Sequence, residues 1–155
     1  MTKFSDDSLK KWIASLPLNS FASTNESNIK FEEAKSKITF VNKSRKDCLK
    51  VDVDGGVVSS SETVLRCDKL LVEKSVPQFC FVELKGSDIK HAVEQLEASL
   101  KDIRLNPACL QQKLAFVVGR NHYPSSSPLI QNAMKKFRAL NVKLVIANTP
   151  AIYAL

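Results

Sequence analysis

Two carboxylates and a lysine stand at or near the ends of two apolar segments of this 155-residue chain. Glu83 and Lys85 close the segment FCFVELKG, and because they are two positions apart in a strand, they point to the same face. Asp68 belongs to the preceding apolar segment and reaches the same point if the two strands are neighbours. Such carboxylates form an oxygen-rich site for Mg²⁺ or Mn²⁺, and the lysine can orient water or balance phosphate charge. The alternative is that Glu83 and Lys85 are a solvated strand end or form an ordinary cross-strand pair.

The elements that position these residues are predicted from hydrophobic periodicity. The pattern predicts helices over residues 4–16, 26–36, 88–103 and 129–140. It predicts strands over residues 37–42, 48–53, 63–72, 79–84, 113–118 and 142–147, with a loop or weak helix start over 18–28. Ser87 or Asp88 would cap the third helix, and Asp54-Gly55-Gly56 predicts a turn. The order indicates one α/β domain with a mixed central sheet and helices covering its faces.

The segments RCDKLL and FCFVELKGSDIKHAVEQLEASL resemble the restriction-endonuclease-like superfamily, whose signature is PD-(D/E)xK. They are most similar to small bacterial members with a Cys-Asp pair, an ELKG strand end and an HAxxQL helix. Residues 26 to 119 follow the αβββαβ order of the family core. The resemblance implies that Asp68, Glu83 and the Leu84 carbonyl bind the metal and that Lys85 is the catalytic lysine. Some members add an acid from the first helix, for which Glu32 and Glu33 are candidates.

His91 and Gln95 lie four positions apart and therefore share one face of the helix that follows Lys85. The resemblance implies that the early part of this helix faces the site, where both would contact phosphate or support the metal ligands. The alternative is a half-buried pair whose polar groups are satisfied by the backbone.

The net charge of +7 is unevenly distributed. Through Asp102 the chain has 16 acidic and 16 basic residues, and beyond it seven basic and no acidic ones. This asymmetry favours a polyanionic partner, nucleic acid more than a membrane surface, although lysines kept for solubility would look the same. Arg120 would grip nucleic acid from a loop or belong to an ordinary polar loop. Lys135 and Lys136 would form a solvated helix face that also attracts phosphates.

Composition and length exclude several classes of protein. The apolar and charged fractions of 44% and 25% are those of a globular chain, which we treat as one nuclease-like domain over residues 1–155. Residues 1–25 would be an N-terminal helix and loop extension, and residues 26–155 the core. No apolar run reaches membrane-spanning length, and the N-terminus does not resemble a signal peptide. Cys48, Cys67, Cys80 and Cys109 form no CxxC pair, which predicts reduced thiols in a cytoplasmic protein.

These observations together predict a Mg²⁺- or Mn²⁺-dependent nuclease that hydrolyses DNA, with structure-selective cleavage and RNA as open variants. A homodimer would suit the structure-selective variant, and no membrane partner is expected. A non-catalytic nucleic-acid- or protein-binding module with the same fold is the main alternative. A subunit that is active only within a larger complex is another.

Overall fold

The computed structural model describes residues 6–75, 77–84, 88–107, 112–120 and 127–155. Within these ranges the helices are α1 (Asp6–Ser15), α2 (Ile89–Lys101) and α3 (Pro128–Ala139). The strands are β1 (Phe21–Thr24), β2 (Asn28–Glu33), β3 (Ser36–Val41), β4 (Cys48–Asp52), β5 (Lys69–Glu73), β6 (Gln78–Leu84), β7 (Gln112–Gly119), β8 (Val142–Asn148) and β9 (Ala151–Ala154). None of the helices in the described ranges is long and apolar enough to cross a membrane.

The main sheet has six strands in the order β1-β4-β5-β6-β7-β8. β1, β4, β5 and β6 pair antiparallel, whereas β6, β7 and β8 pair parallel. The parallel pairs require crossover connections, which α2 and α3 provide. The prediction of an α/β chain with a mixed central sheet is therefore confirmed.

The two faces of the main sheet are covered by different layers. One hydrophobic core lies between the sheet and the helices, with Trp12, Leu96 and Phe137 from α1, α2 and α3. A second core lies between the sheet and a small sheet of order β2-β3-β9, where Phe31 and Phe40 are buried. The expectation that helices cover both faces is wrong, because a hairpin and the last strand take one of them.

The predicted helix over residues 26–36 is also wrong, since this stretch contains β2. β2 pairs antiparallel with β3 from Asn28↔Val41 to Glu33↔Ser36. Ile29 and Phe31 are buried while Lys30 is exposed, which is the two-residue period of a half-buried strand. The few apolar residues of this stretch are compatible with the period of a helix or of a strand. The strand forms because it buries Ile29 and Phe31 in the second core.

Three smaller differences concern segment ends. β1 forms within the predicted loop over 18–28, and β9 forms in the tail, where it pairs parallel with β3. Of the predicted strand over 63–72, only the part from Lys69 onward pairs in β5. Residues 63–68 thus approach the sheet without belonging to a strand, which matters because Asp68 lies at their end.

Several strands end at the same end of the main sheet, where the carboxyl ends of its parallel strands lie, and we call this end the site edge. β6, β7 and β8 all finish there, with Leu84 opposite Val118 and Gly119 opposite Asn148. Residues at the carboxyl ends of parallel strands commonly form binding sites in α/β folds. The start of β5 lies at the same edge, since Lys69 pairs with Val82.

Candidate metal centre at the site edge

Asp68 is fixed between two strands immediately before β5 begins. Its N–H donates to the Val82 carbonyl at 3.1 Å, and its own carbonyl accepts from the Val53 N–H at 3.0 Å. Its carboxylate oxygen Oδ2 accepts the backbone N–H of Leu84 at 2.8 Å, and the residue is only 5% exposed. The Asp68 carboxylate is therefore held against the end of β6, where the sequence predicted it.

Glu83 is the neighbouring carboxylate, one strand away and 4% exposed. Phe79, Phe81 and Glu83 are every second residue of β6, so their side chains point to the same face of the sheet. Phe79 and Phe81 pack in the core beneath the helices, and Glu83 therefore lies on the helix-covered face. Burial raises the pKa of the Cys67 thiol to about 12, and the charges of Glu83 and Asp68 contribute to that rise. Both carboxylates thus act on one buried thiol, which places them at the same end of the sheet.

The other two residues of the predicted site are Leu84, which the structure describes, and Lys85, which it does not. Leu84 lies in the site and donates its N–H to Asp68. Its carbonyl as a metal ligand stays a prediction. Lys85 lies in residues 85–87, outside the described residues, so its catalytic role also stays a prediction.

Two side chains of α2 hold the segment that carries Asp68. The Ser99 hydroxyl, fully buried, accepts the Cys67 N–H at 2.8 Å. Gln95 Nε2 donates to the Arg66 carbonyl at 3.3 Å. These bonds hold Arg66 and Cys67, which lie outside the strand, so α2 helps to position the backbone directly before Asp68. Gln95 therefore lies beside the site, and its described contact is with backbone.

Ser99 was not predicted from the sequence, although a signal existed. It lies four residues after Gln95, hence on the same helix face, and it is a small polar residue among apolar ones. His91 lies one turn before Gln95, and its side chain is exposed. Its backbone N–H donates to the side chain of the N-cap residue Asp88 at 3.1 Å. The shared helix face thus contains two backbone-binding side chains and one exposed imidazole.

A second missed feature is the ion pair between Lys69 and Asp52, whose Nζ and Oδ1 atoms are 2.8 Å apart. Burial lowers the pKa of Lys69, but the hydrogen bond to Asp52 and the charges of Asp52, Glu33 and Asp68 raise it overall. Glu33 therefore approaches this lysine from β2, on the opposite face of the main sheet from Glu83. Glu32 is exposed on β2, so of the two predicted acids Glu33 is the one near the site edge. Both come from a strand, because the predicted helix is absent.

The predicted basic residues do not gather at the carboxylates. Arg120 is exposed directly after β7, at the site edge. Lys135 and Lys136 are exposed in the later half of α3, which runs back from that edge because it joins parallel strands. Lys136 forms a 2.7 Å ion pair with Glu97 of α2. Its described contact is thus an internal one.

The described cysteines behave as core residues. Cys48, Cys67 and Cys80 are free and buried. Burial is the largest cause of the raised pKa of each thiol, to about 11 for Cys48. Thiols with such pKa values are protonated at neutral pH and are poor nucleophiles.

The donor set at the site edge suits a hard divalent cation. Two carboxylates and nearby main-chain oxygens are the ligands that Mg²⁺ and Mn²⁺ prefer. Within the described ranges no group of three or more His, Cys, Asp or Glu side chains could hold a metal. Comparisons with protein families, curated proteins and solved structures find no match to this chain, so the site is judged on its own geometry.

Proposed function

We propose that this protein is a metal-dependent phosphodiesterase that hydrolyses DNA, with Asp68 and Glu83 as ligands of a Mg²⁺ or Mn²⁺ ion. The observation that supports this most is the burial of both carboxylates, at 5% and 4% exposure, on neighbouring segments at one sheet edge. Burying a carboxylate carries a desolvation cost, and acidic groups buried together in this way cluster at functional sites.

The order of elements supports a restriction-endonuclease-like core as part of this proposal. α1, β4, β5, β6, α2 and β7 follow the order αβββαβ, with β4, β5 and β6 antiparallel and β7 reached by a crossover. In this assignment the first core helix is α1, and the insertions are β1, which pairs with β4, and the β2–β3 hairpin. The small sheet that it forms with β9 would be a feature of this chain.

In the proposed mechanism each residue has a separate task. Asp68 and Glu83 would hold the metal ion, which would supply Lewis-acid chemistry toward the phosphate and the attacking water. Leu84 fixes the orientation of Asp68 through its backbone N–H. Gln95 and Ser99 keep the backbone before Asp68 in place. Lys85 orients the attacking water or balances charge on the scissile phosphate.

The proposal is tested by cleavage of supercoiled plasmid, linear duplex, single-stranded DNA, a four-way junction and RNA, each with Mg²⁺, Mn²⁺ or EDTA. Asp68→Asn, Glu83→Gln and Lys85→Ala should each lower the rate to below about one hundredth of the wild-type rate. Asp7→Asn, on the exposed surface of α1, is the control that removes a carboxylate elsewhere. Circular dichroism verifies that every variant is folded.

Each outcome separates the alternatives. Cleavage that requires metal, Asp68 and Glu83 supports the proposal, and the preferred substrate narrows its class to DNA or RNA. Undiminished cleavage by Glu83→Gln would refute the assigned site. Silence on every substrate, with nucleic acid bound equally by wild type and variants, would instead indicate a binding module or a subunit that needs a partner.

A further inference from the structure

A groove between the small sheet and the main sheet lies beside β4 and is lined by residues from the first third of the chain. It encloses about 370 Å³, and its lining comprises Glu26, Ser27, Asn28, Lys30, Arg45 and Lys50. We propose that this groove binds the phosphate backbone of a nucleic-acid strand and leads that strand to Asp68. The inference rests on the proposed function for the nature of its ligand.

The net charge of the whole chain does not show that the segment around the groove is strongly basic. Residues 28–50 contain seven basic and three acidic residues, a net charge of +4. Residues 52–102 contain six basic and ten acidic residues, a net charge of −4, so the two segments cancel. The structure folds the positive segment into β2, β3, β4 and the turn before β4. Three of its basic residues, Lys30, Arg45 and Lys50, line the groove, whereas Lys46 forms an ion pair with Glu73. Clustered lysine and arginine are the groups that contact nucleic-acid phosphates.

The walls of the groove are preorganised by a buried amide. Asn42 is 1% exposed, and its Nδ2 donates to the Glu26 and Lys46 carbonyls at 3.1 and 3.0 Å. Its Oδ1 accepts the Lys46 N–H at 3.0 Å. One side chain therefore ties the segment before β2 to the turn that contains Arg45. A fixed groove loses little conformational freedom when a ligand binds.

Lys50 lines the groove and is itself held in place. Its Nζ donates to the Lys30 carbonyl at 2.8 Å and lies 5.0 Å from the centre of the Phe31 ring. The Lys30 side chain is exposed on the edge strand β2, and Arg45 is exposed in the turn before β4. The ammonium of Lys30 and the guanidinium of Arg45 thus remain available to a phosphate strand.

The groove continues toward the candidate metal centre. Lys50 and Asp52 lie two residues apart on the same face of β4, a rise of about 7 Å. Asp52 binds Lys69, and Lys69 directly precedes the rest of β5 and follows Asp68. Basic side chains therefore recur from Arg45 through Lys50 to Lys69, on the face of the main sheet opposite Glu83, and Lys69 is the residue next to Asp68 at the site edge. An arrangement that links a basic groove to a phosphodiesterase site suits a phosphate backbone better than an acidic peptide.

The test is binding of a fluorescently labelled 20-nucleotide DNA, single-stranded or duplex, measured by anisotropy in EDTA over a range of NaCl concentrations. The double variant Lys30→Gln/Arg45→Gln should weaken binding about tenfold or more at moderate salt, and the salt slope should fall by about two. Lys10→Gln/Lys11→Gln, exposed on α1, removes the same charge elsewhere and should change affinity less than about twofold. Thermal unfolding verifies that both double variants are folded.

Each of the following results would contradict the proposal that the groove binds a nucleic-acid strand. Equal weakening by both double variants would show an effect of net charge alone. Weakening confined to Arg138→Gln/Lys143→Gln would assign binding to the far end of α3 and β8. An unaffected groove variant, in a protein that still cleaves DNA with Mg²⁺, would reject the groove and leave the proposed function intact. A wild type that neither binds nor cleaves would reject both.

Discussion

The Ser99 hydroxyl is one of the two side-chain contacts through which α2 holds the candidate site, and the cost of removing it follows from its burial. In Ser99→Ala the Cys67 N–H loses its 2.8 Å acceptor in a fully buried position. An unsatisfied buried donor costs about 1 to 3 kcal/mol. For a chain of this size, each kcal/mol lowers the melting temperature by roughly 2 to 4 °C. We therefore expect a decrease of about 2 to 12 °C, with about 6 °C as the central value.

The local readout is amide hydrogen exchange of Cys67, which should accelerate in Ser99→Ala because the amide is no longer bonded. The functional readout is the affinity for Mn²⁺, measured by calorimetry. Loss of a group that positions a metal ligand typically costs about 10- to 100-fold in affinity or activity. Asp68 follows Cys67 directly, so its carboxylate should lose part of its orientation.

The control is a variant that is equally destabilised far from the site edge. Val142→Ala removes two methyl groups from a residue that is 4% exposed at the opposite end of the sheet, with an expected cost of about 2 kcal/mol. It should lower the melting temperature but leave both the Cys67 amide and Mn²⁺ affinity unchanged. Unchanged Cys67 exchange in Ser99→Ala would refute the positioning argument. Equal loss of Mn²⁺ affinity in Ser99→Ala and Val142→Ala would show that the loss follows from general destabilisation and not from the positioning of Asp68.

Two further predictions concern stability. Hydrogen bonds from Lys136 and Lys101 lower the pKa of Glu97, so its stabilisation is present above the unfolded value of about 4.5 and is lost as pH falls through the folded pKa. Glu97→Gln should therefore lower the melting temperature by about 1 to 3 °C at neutral pH, and a difference that persisted unchanged in strong acid would contradict this cause. A Cβ at Gly56 would overlap the Asp52 carbonyl, so Gly56→Ala should cost about 2 to 4 kcal/mol in urea unfolding. Gly55→Ala, where φ is 80° but the space is open, should cost only about 1 to 2 kcal/mol, and equal losses would contradict the steric argument.

Segments with strong local signals were predicted well. α2 begins after its N-cap Asp88, whose side chain accepts the His91 N–H, as the capping pattern indicated. Its apolar stripe is buried through Leu100, but Ile103 lies beyond the end of the helix and is 86% exposed. β6 forms over the continuous apolar run that ends at Glu83 and Leu84. These elements follow from capping and periodicity, which depend on near neighbours in the chain.

Segments with weak signals were decided by their surroundings. Residues 26–36 contain few apolar side chains, and only the second core selects a strand in which Ile29 and Phe31 face inward. β9 has four residues and pairs with β3 across more than 100 positions of sequence. No local rule detects such a partner, because the free energy of a short strand comes from the sheet that it joins.

The candidate site divides in the same way. Residue types and the two-residue spacing of Glu83 and Lys85 singled out the end of one apolar strand in the sequence. Asp68 joined this candidate site only on the condition that its segment neighbours that strand, and the structure shows that β5 and β6 are neighbours. Tertiary structure alone brought Ser99 to Cys67, Glu33 towards Lys69, and Lys30 and Arg45 into one groove. Those contacts join residues that are distant in sequence, and their geometry depends on how strands and helices pack. The amino-acid sequence therefore determined which chemistry is available, and packing determined which groups surround it.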